Sequence, residues 1–102
     1  MEYTELRKTT FTVVSEDKAF WVCRGDRITT AKDLANCIES LTPEEFQHHV
    51  NKEGKRNDFA LWIHDVLKNP ALAKDLDLDA NYDDQTHYVK TIRDHLAWLE
   101  TI

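Results

Sequence analysis

The sequence predicts an α+β domain that is mostly α-helical, with a small N-terminal β-hairpin followed by four or five short helices packed as an irregular bundle. β-branched and aromatic residues are concentrated before residue 30, a composition typical of strands. Beyond residue 30, apolar residues recur at helical spacings of three and four, and capping residues precede them. The 102 residues suit a single domain, because two separate cores of about fifty residues would each be marginal.

The N-terminal part of the chain carries the strand signals. Residues 1–8 have no clear period, so we expect them to form a loosely ordered arm. Residues 9–29 are the predicted β-hairpin region, with one strand over 10–14 and a second over 19–23. Gly25 follows the second strand and is placed to supply the positive φ of a tight turn before a short returning strand.

Residues 30–76 are predicted to form the helical core. Thr30 is a plausible N-cap for the first helix of this region. The second helix has the strongest local signal in the chain, since Thr42 is a capping residue, Pro43 occupies the first helical position and Glu45 completes a capping box.

Three further helices and an acidic spacer complete the predicted order. Asn57 or Asp58 is expected to cap the helix that follows the second glycine, and Pro70 to open a short helix after it. Residues 77–84 form an acidic spacer, and residues 85–101 are predicted to be a C-terminal helix.

Composition excludes several classes of function. With 13 basic and 19 acidic residues, the net charge is −6, which argues against a nucleic-acid partner. With two glycines, the chain has neither a dinucleotide fingerprint nor a phosphate-binding loop, because both need clustered glycines. No run approaches the roughly 18 apolar residues of a membrane span, so no membrane association is expected.

The start of the chain and its cysteines indicate a cytoplasmic location. The residues after Met1 lack the apolar stretch of a signal peptide. Cys23 and Cys37 form no CxxC pair and are predicted to be small buried residues in a reducing compartment. A disulfide or a reactive thiol is the alternative.

The histidines offer the most suggestive chemistry. His49 is expected on the apolar side of its helix, where it can bond to the Asn57–Asp58 cap, join two helices and fix Trp62. The alternative is a small-molecule, metal or catalytic site formed by the same residues together with His64. A zinc site needs three or four ligands, and the sequence has no HxxxH, HExxH or paired cysteines. We therefore expect neither a metal nor a cofactor, and no catalytic residues.

A small basic loop provides another candidate surface. Lys52, Lys55 and Arg56 lie close together in sequence, and Arg24 and Arg27 could extend them into a patch on an acidic protein. Such a patch would suit a phosphate or an acidic partner. A solvated loop explains the same residues without a ligand.

Four segments, within roughly residues 19–76, resemble a family of small prokaryotic domains of unknown function. They are residues 28–35 (ITTAKDLA), 46–50 (FQHHV), 57–67 (NDFALWIHDVL) and 70–76 (PALAKDL), and the last three follow the pattern FxxHV…NDFAxW…LAxxL. The extra Gly54-Lys-Arg segment and a divergent first strand depart from it. The family has no established activity, so the resemblance implies a fold and an important His49–Asn57–Asp58 region, but no reaction.

The sequence favours a small cytosolic interaction or regulatory module without catalytic activity. Its partner is expected to be a protein, and the candidate contact residues are Leu61, Lys55 and Arg56. Leu61 is included because it lies nearly opposite the apolar face of its predicted helix. The sequence does not determine the oligomeric state.

Overall fold

A computed structural model describes residues 3–51, 56–78 and 85–102. Six α-helices lie in the described residues: α1 (Tyr3–Phe11), α2 (Ala31–Ser40), α3 (Pro43–His49), α4 (Asp58–Asp65), α5 (Pro70–Leu78) and α6 (Gln85–Glu100). A short 3-10 helix, Glu16–Lys18, precedes the first strand. Two antiparallel pairs of two-residue strands accompany them: β1 (Phe20–Trp21) with β2 (Arg27–Ile28), and β3 (Val50–Asn51) with β4 (Arg56–Asn57). The predicted class, α+β and mostly α with a small N-terminal hairpin, is confirmed. Most of the predicted acidic spacer lies outside the described residues.

The first helix is the main departure from the prediction. A loosely ordered arm over 1–8 and a strand over 10–14 were wrong, since α1 occupies Tyr3–Phe11. The threonines that suggested a strand bond back to the helix, because the hydroxyl groups of Thr9 and Thr10 donate to the carbonyl of Leu6 at 3.1 and 2.7 Å. This bonding makes β-branched residues compatible with a helix that is held by burial of Leu6 and Thr10.

The hairpin forms where the sequence placed its second and third strands, although each strand is only two residues long. Gly25 adopts a φ of +108° in the connecting turn, a conformation that costs glycine little. Phe20 pairs with Ile28, and Trp21 pairs with Arg27. Because side chains alternate along a strand, the first pair enters the core and the second pair faces solvent.

The predicted helix starts are confirmed at atomic detail. The Thr30 hydroxyl accepts the backbone N–H of Asp33 at 3.1 Å. At α3, Thr42 accepts the N–H of Glu45 at 3.1 Å, and the Glu45 carboxylate accepts the N–H of Thr42 at 2.8 Å. Both partners of the capping box are therefore satisfied, which explains why a helix of seven residues starts sharply at Pro43.

The main core is shared by the β1–β2 hairpin and helices α2 to α6. Its largest fully buried side chains include Tyr88, Phe46, Phe59, Leu34, Ile38 and Ile63. Helix α1 buries Leu6 outside this cluster. A separate polar contact also attaches α1 to the rest of the fold.

That contact is a network centred on Asn69, which is fully buried before α5. Its Oδ1 accepts the N–H of Leu72 at 3.0 Å, which fixes the orientation of the amide. Its Nδ2 donates to Thr10 Oγ1 at 2.9 Å and lies 2.9 Å from His95 Nε2. Since an amide nitrogen only donates, Nε2 of His95 must be unprotonated. The network joins α1, α5 and α6 through one side chain.

His95 makes the stability of the fold depend on pH. Burial lowers the pKa of its ring below the ordinary 6.5, against the opposing effect of Asp75. Below pH 6.5 the unfolded chain therefore binds more protons than the folded chain, and stability falls as the pH is lowered.

The variant His95→Gln keeps an acceptor for Asn69 but does not titrate. We therefore expect its free energy of unfolding to fall less than that of the wild type between pH 7.5 and 5.0. Urea unfolding at both pH values measures this.

A substitution at the exposed His64, His64→Gln, controls for the loss of a histidine as such. An equal loss of stability in wild type and His95→Gln over this pH range would contradict the role assigned to the network.

Candidate functional site

The β3–β4 pair brings together the residues that the sequence singled out. Val50 and Asn57 are partners in this antiparallel pair. His49, which ends α3, directly precedes Val50, and Asp58, which begins α4, directly follows Asn57. Antiparallel pairing therefore places His49 and Asp58 side by side at the junction of two helices.

Both ring nitrogens of His49 are engaged. The backbone N–H of Cys23 donates to Nε2 at 3.0 Å, and Nδ1 lies 2.9 Å from Oδ2 of Asp58. Because Nε2 accepts a hydrogen bond, the proton of the neutral ring is on Nδ1 and is donated to the carboxylate of Asp58. His49 thus connects the hairpin to the start of α4 through two hydrogen bonds.

The ring of His49 is also enclosed by aromatic side chains. Its centroid lies 5.2 Å from that of Phe20 and 5.3 Å from that of Phe59. Only 3% of the residue is exposed. Both ring nitrogens of His49 are therefore bonded within the chain, and the ring has almost no access to solvent.

Asp58 is held as a carboxylate by two neighbours. Burial acts to raise its pKa, but the hydrogen bonds from Arg56 and His49 outweigh burial and hold the pKa below the ordinary 3.8. Arg56 Nε donates to Oδ2 of Asp58 at 2.9 Å. The same oxygen therefore receives both bonds, and the acid serves to anchor them.

Asn57 caps α4, as one of the two residues predicted to do so. Its Oδ1 accepts the N–H of Ala60 at 3.1 Å, and its Nδ2 donates to the hydroxyl of Tyr88 at 3.1 Å. The Tyr88 hydroxyl lies 3.3 Å from the carbonyl oxygen of Leu76, to which it donates. One capping side chain thereby ties the start of α4 to α5 and α6.

Trp62 is fixed from the hairpin side. Its Nε1–H donates to the carbonyl of Lys18 at 2.8 Å, and its ring meets that of Phe20 edge-on with centroids 6.0 Å apart. The motif cluster, defined as His49, Asn57, Asp58 and Trp62, therefore joins α3 and α4 to the hairpin side and to α6. Each of its polar side chains bonds a different element of the fold.

His64 does not join the cluster. Its side chain is 60% exposed, and Nδ1 lies 2.9 Å from Oδ1 of Asp65. Within residues 3–51, 56–78 and 85–102, no three His, Cys, Asp or Glu side chains converge in an arrangement that could hold a metal ion.

The two cysteines differ in environment. Cys37 is buried as predicted, and burial raises the pKa of its thiol beside Asp26. Cys23 is exposed, so the prediction of a buried residue was wrong there. It lies in the hairpin turn, and its thiol is 3.9 Å from the carbonyl oxygen of Glu45. Both thiols are free.

The proposed basic patch is largely neutralised in the described residues. Arg24 pairs with Asp26, Arg27 with Glu16, and Arg56 with Asp58. These pairs leave little uncompensated positive charge to attract a phosphate. Lys52 and Lys55 lie outside the described residues.

Comparison with known proteins gives no relative for this arrangement. No family model matches the chain, and neither the curated proteins nor the solved structures yield a match. The resemblance of roughly residues 19–76 to a family of prokaryotic domains stays a prediction. None of the helices in the described part of the chain combines the length and apolar composition that crossing a membrane requires.

Three partners of the motif cluster were not foreseen from the sequence. The N–H of Cys23 and the carbonyl of Lys18 are backbone groups, which leave no trace in residue identity. The position of Tyr88 in the sequence did indicate a hydrogen bond, because a tyrosine on an otherwise apolar helical stripe needs a partner for its hydroxyl. That signal indicated a hydrogen bond but not the identity of Asn57 as its partner.

Replacing His49 tests the structural role of the cluster. His49→Phe keeps an aromatic ring but leaves the N–H of Cys23 without its acceptor and removes one of the two donors to the carboxylate of Asp58. Because an unpaired buried group costs about 1–3 kcal/mol, we expect the free energy of unfolding to fall by about 2–4 kcal/mol in urea titrations. His48→Phe at the adjacent exposed position is the matched control, with an expected change within about 0.5 kcal/mol. Equal stability of the two variants would contradict the role assigned to His49.

Proposed function

We propose that the chain is a small protein-binding module without catalytic activity. The exposure of Trp21 and Leu61, 61% and 60% respectively, carries this proposal. A large apolar side chain in water forgoes the free energy of burial, and tryptophan is enriched among the residues that dominate protein interfaces. A partner that covers these two side chains would recover that free energy.

The fold leaves both residues no place in the core. Trp21 follows Phe20, whose ring is buried, so strand alternation directs Trp21 to solvent. Leu61 precedes the buried Trp62 and lies on the outer side of α4. Phe20 and Trp62 contact each other. Trp21 and Leu61 are therefore each adjacent in sequence to one member of the contacting pair Phe20 and Trp62.

The alternative function, a ligand or catalytic site at the His49 cluster, has less support. Its polar groups bond to one another and to the backbone, and no buried side-chain nitrogen or oxygen in the described residues lacks a partner. A binding site for a polar ligand would instead present unsatisfied groups toward an accessible cavity.

The charge of the chain bears on the class of partner, and its cysteines bear on the cellular compartment. Pairing of Arg24, Arg27 and Arg56 with carboxylates, together with a net charge of −6, favours a protein over a nucleic acid. Two free cysteines in a small domain favour the cytoplasm, where thiols stay reduced.

Site-specific crosslinking in the source organism tests this function. A photoreactive amino acid at Trp21 or Leu61 should capture the same protein from both positions, identified by mass spectrometry. Purified partner should then bind wild type and lose at least about tenfold in affinity to Leu61→Asp, since central apolar contacts contribute 1 kcal/mol or more, about 2 kcal/mol for a hot spot.

The matched control places the photoreactive residue at Glu44, which is exposed on α3. Capture of the same protein from Glu44, or unchanged affinity of Leu61→Asp, would contradict the proposed surface.

A further inference from the structure

We propose that protonation of His95 releases helix α1 from the rest of the fold, which makes α1 an acid-sensitive cover for the end of α6. The network around the buried amide of Asn69 carries this proposal, because one nitrogen of that amide bonds both Thr10 of α1 and His95 of α6. The proposal goes beyond the fall in stability at low pH, since it assigns the first structural change to one helix. It is independent of the protein-binding function proposed for Trp21 and Leu61.

The amide of Asn69 cannot adapt to a second proton on His95. Its Oδ1 accepts the N–H of Leu72 at 3.0 Å, and its Nδ2 lies 2.9 Å from Nε2 of His95. A proton on Nε2 would therefore bring two donors face to face. Turning the amide over would offer its oxygen to His95 but would set its nitrogen against the N–H of Leu72. Either arrangement leaves a donor without an acceptor, and Asn69 is fully buried, so water offers no replacement.

Thr10 shares the nitrogen of Asn69 with His95. The hydroxyl group of Thr10 donates its own proton to the carbonyl of Leu6 at 2.7 Å and accepts from Nδ2 of Asn69 at 2.9 Å. Thr10 is fully buried as well. Both acceptors therefore depend on one NH₂ group in one position. A movement of Asn69 away from a protonated His95 withdraws the bond to Thr10, and protonation on α6 is thereby transmitted to α1.

The other contacts of α1 allow it to leave without disruption of the main core. Leu6 and Leu99 are buried, and both lie outside the main core cluster. Leu99 follows His95 by four positions, so the two residues share a face of α6, and we infer that α1 covers this face. Arg7 donates to the backbone oxygen of Ile102 at 3.1 Å in an exposed position, where water can replace the bond.

The chain that follows α1 provides an anchor and a link. The N–H of Val14 donates to the carbonyl of Thr29 at 3.0 Å, which fixes the chain beside the hairpin. Residues 12–13, between α1 and this anchor, are exposed. Opening can therefore be confined to the segment before Val14, as in the local opening of a cooperative unit.

The groups that face His95 determine the direction of the pH effect. Burial lowers the pKa of the ring below 6.5 and outweighs the opposing effect of Asp75 on α5. The group that faces the ring from α1 is Thr10, through Asn69, and it is uncharged. On the side of α2, Glu39 is paired with Arg93. Release of α1 hydrates the ring and returns its pKa toward 6.5, so the released state binds the proton more tightly and acidification favours release.

Hydrogen exchange of the full chain at pH 7.5 and 5.0 measures the release of α1. The protection factors of the amides of residues 7–11 should fall severalfold, and by at most about thirtyfold, the limit set by a pKa of 6.5 in the released state. Urea below the unfolding transition should change them little, because release of one short helix exposes little surface. The amides of Trp62 and Ile63 in α4 should be more protected and more sensitive to urea.

The variant His95→Gln identifies the group responsible. Glutamine keeps an acceptor for Asn69 but does not titrate, so the protection of α1 should be the same at both pH values within about twofold. His64→Gln, at a side chain that is 60% exposed, is the matched control and should respond to pH as the wild type does. Circular dichroism at both pH values verifies that the variants remain folded.

Three outcomes would overturn the proposal. Equal protection of α1 at both pH values in the wild type would show that protonation does not act on this helix. A loss of protection in His95→Gln as large as that of the wild type would assign the effect to another group. Exchange of residues 7–11 with the same protection and the same urea dependence as α4 would show that α1 leaves only when the whole fold unfolds.

Discussion

The hydrogen bonds of His49 hold the architecture together at the point where its parts meet. One ring nitrogen accepts from the hairpin backbone at Cys23, and the other donates to Asp58 at the start of α4. The ring itself lies between Phe20 and Phe59 in the core. Neither bond could be exchanged for water at 3% exposure, so each must be made within the chain. His49 therefore holds the hairpin against α4 together with the contacts of Trp62.

The same bonds describe the environment of His49. The residue joins three elements of the fold, and both of its ring nitrogens are bonded within the chain. Two large apolar side chains remain exposed on the elements that His49 joins, Trp21 on the hairpin and Leu61 on α4. These two side chains are the part of the surface on which the proposed recognition of a partner rests.

Local signals determined which parts of this architecture could be predicted. The caps at Thr30 and Thr42 and the turn at Gly25 depend on neighbouring residues alone, so sequence was sufficient for them. Helix α1 could not be predicted in the same way, because burial of Thr10 against Asn69, 59 positions away, overrides the strand preference of its threonines. The His49–Asp58 bond was foreseen as a contact between a helix end and the next cap. The second partner of His49 could not be predicted, because it is the backbone N–H of Cys23.

The tautomer of His49 is the most direct test of this account. Long-range ¹H–¹⁵N correlation spectra at neutral pH distinguish protonated from unprotonated ring nitrogens. The neutral ring should carry its proton on Nδ1, with Nε2 unprotonated and the amide proton of Cys23 slow to exchange with solvent. A ring protonated on Nε2, or a rapidly exchanging Cys23 amide, would mean that His49 does not join the hairpin to α4.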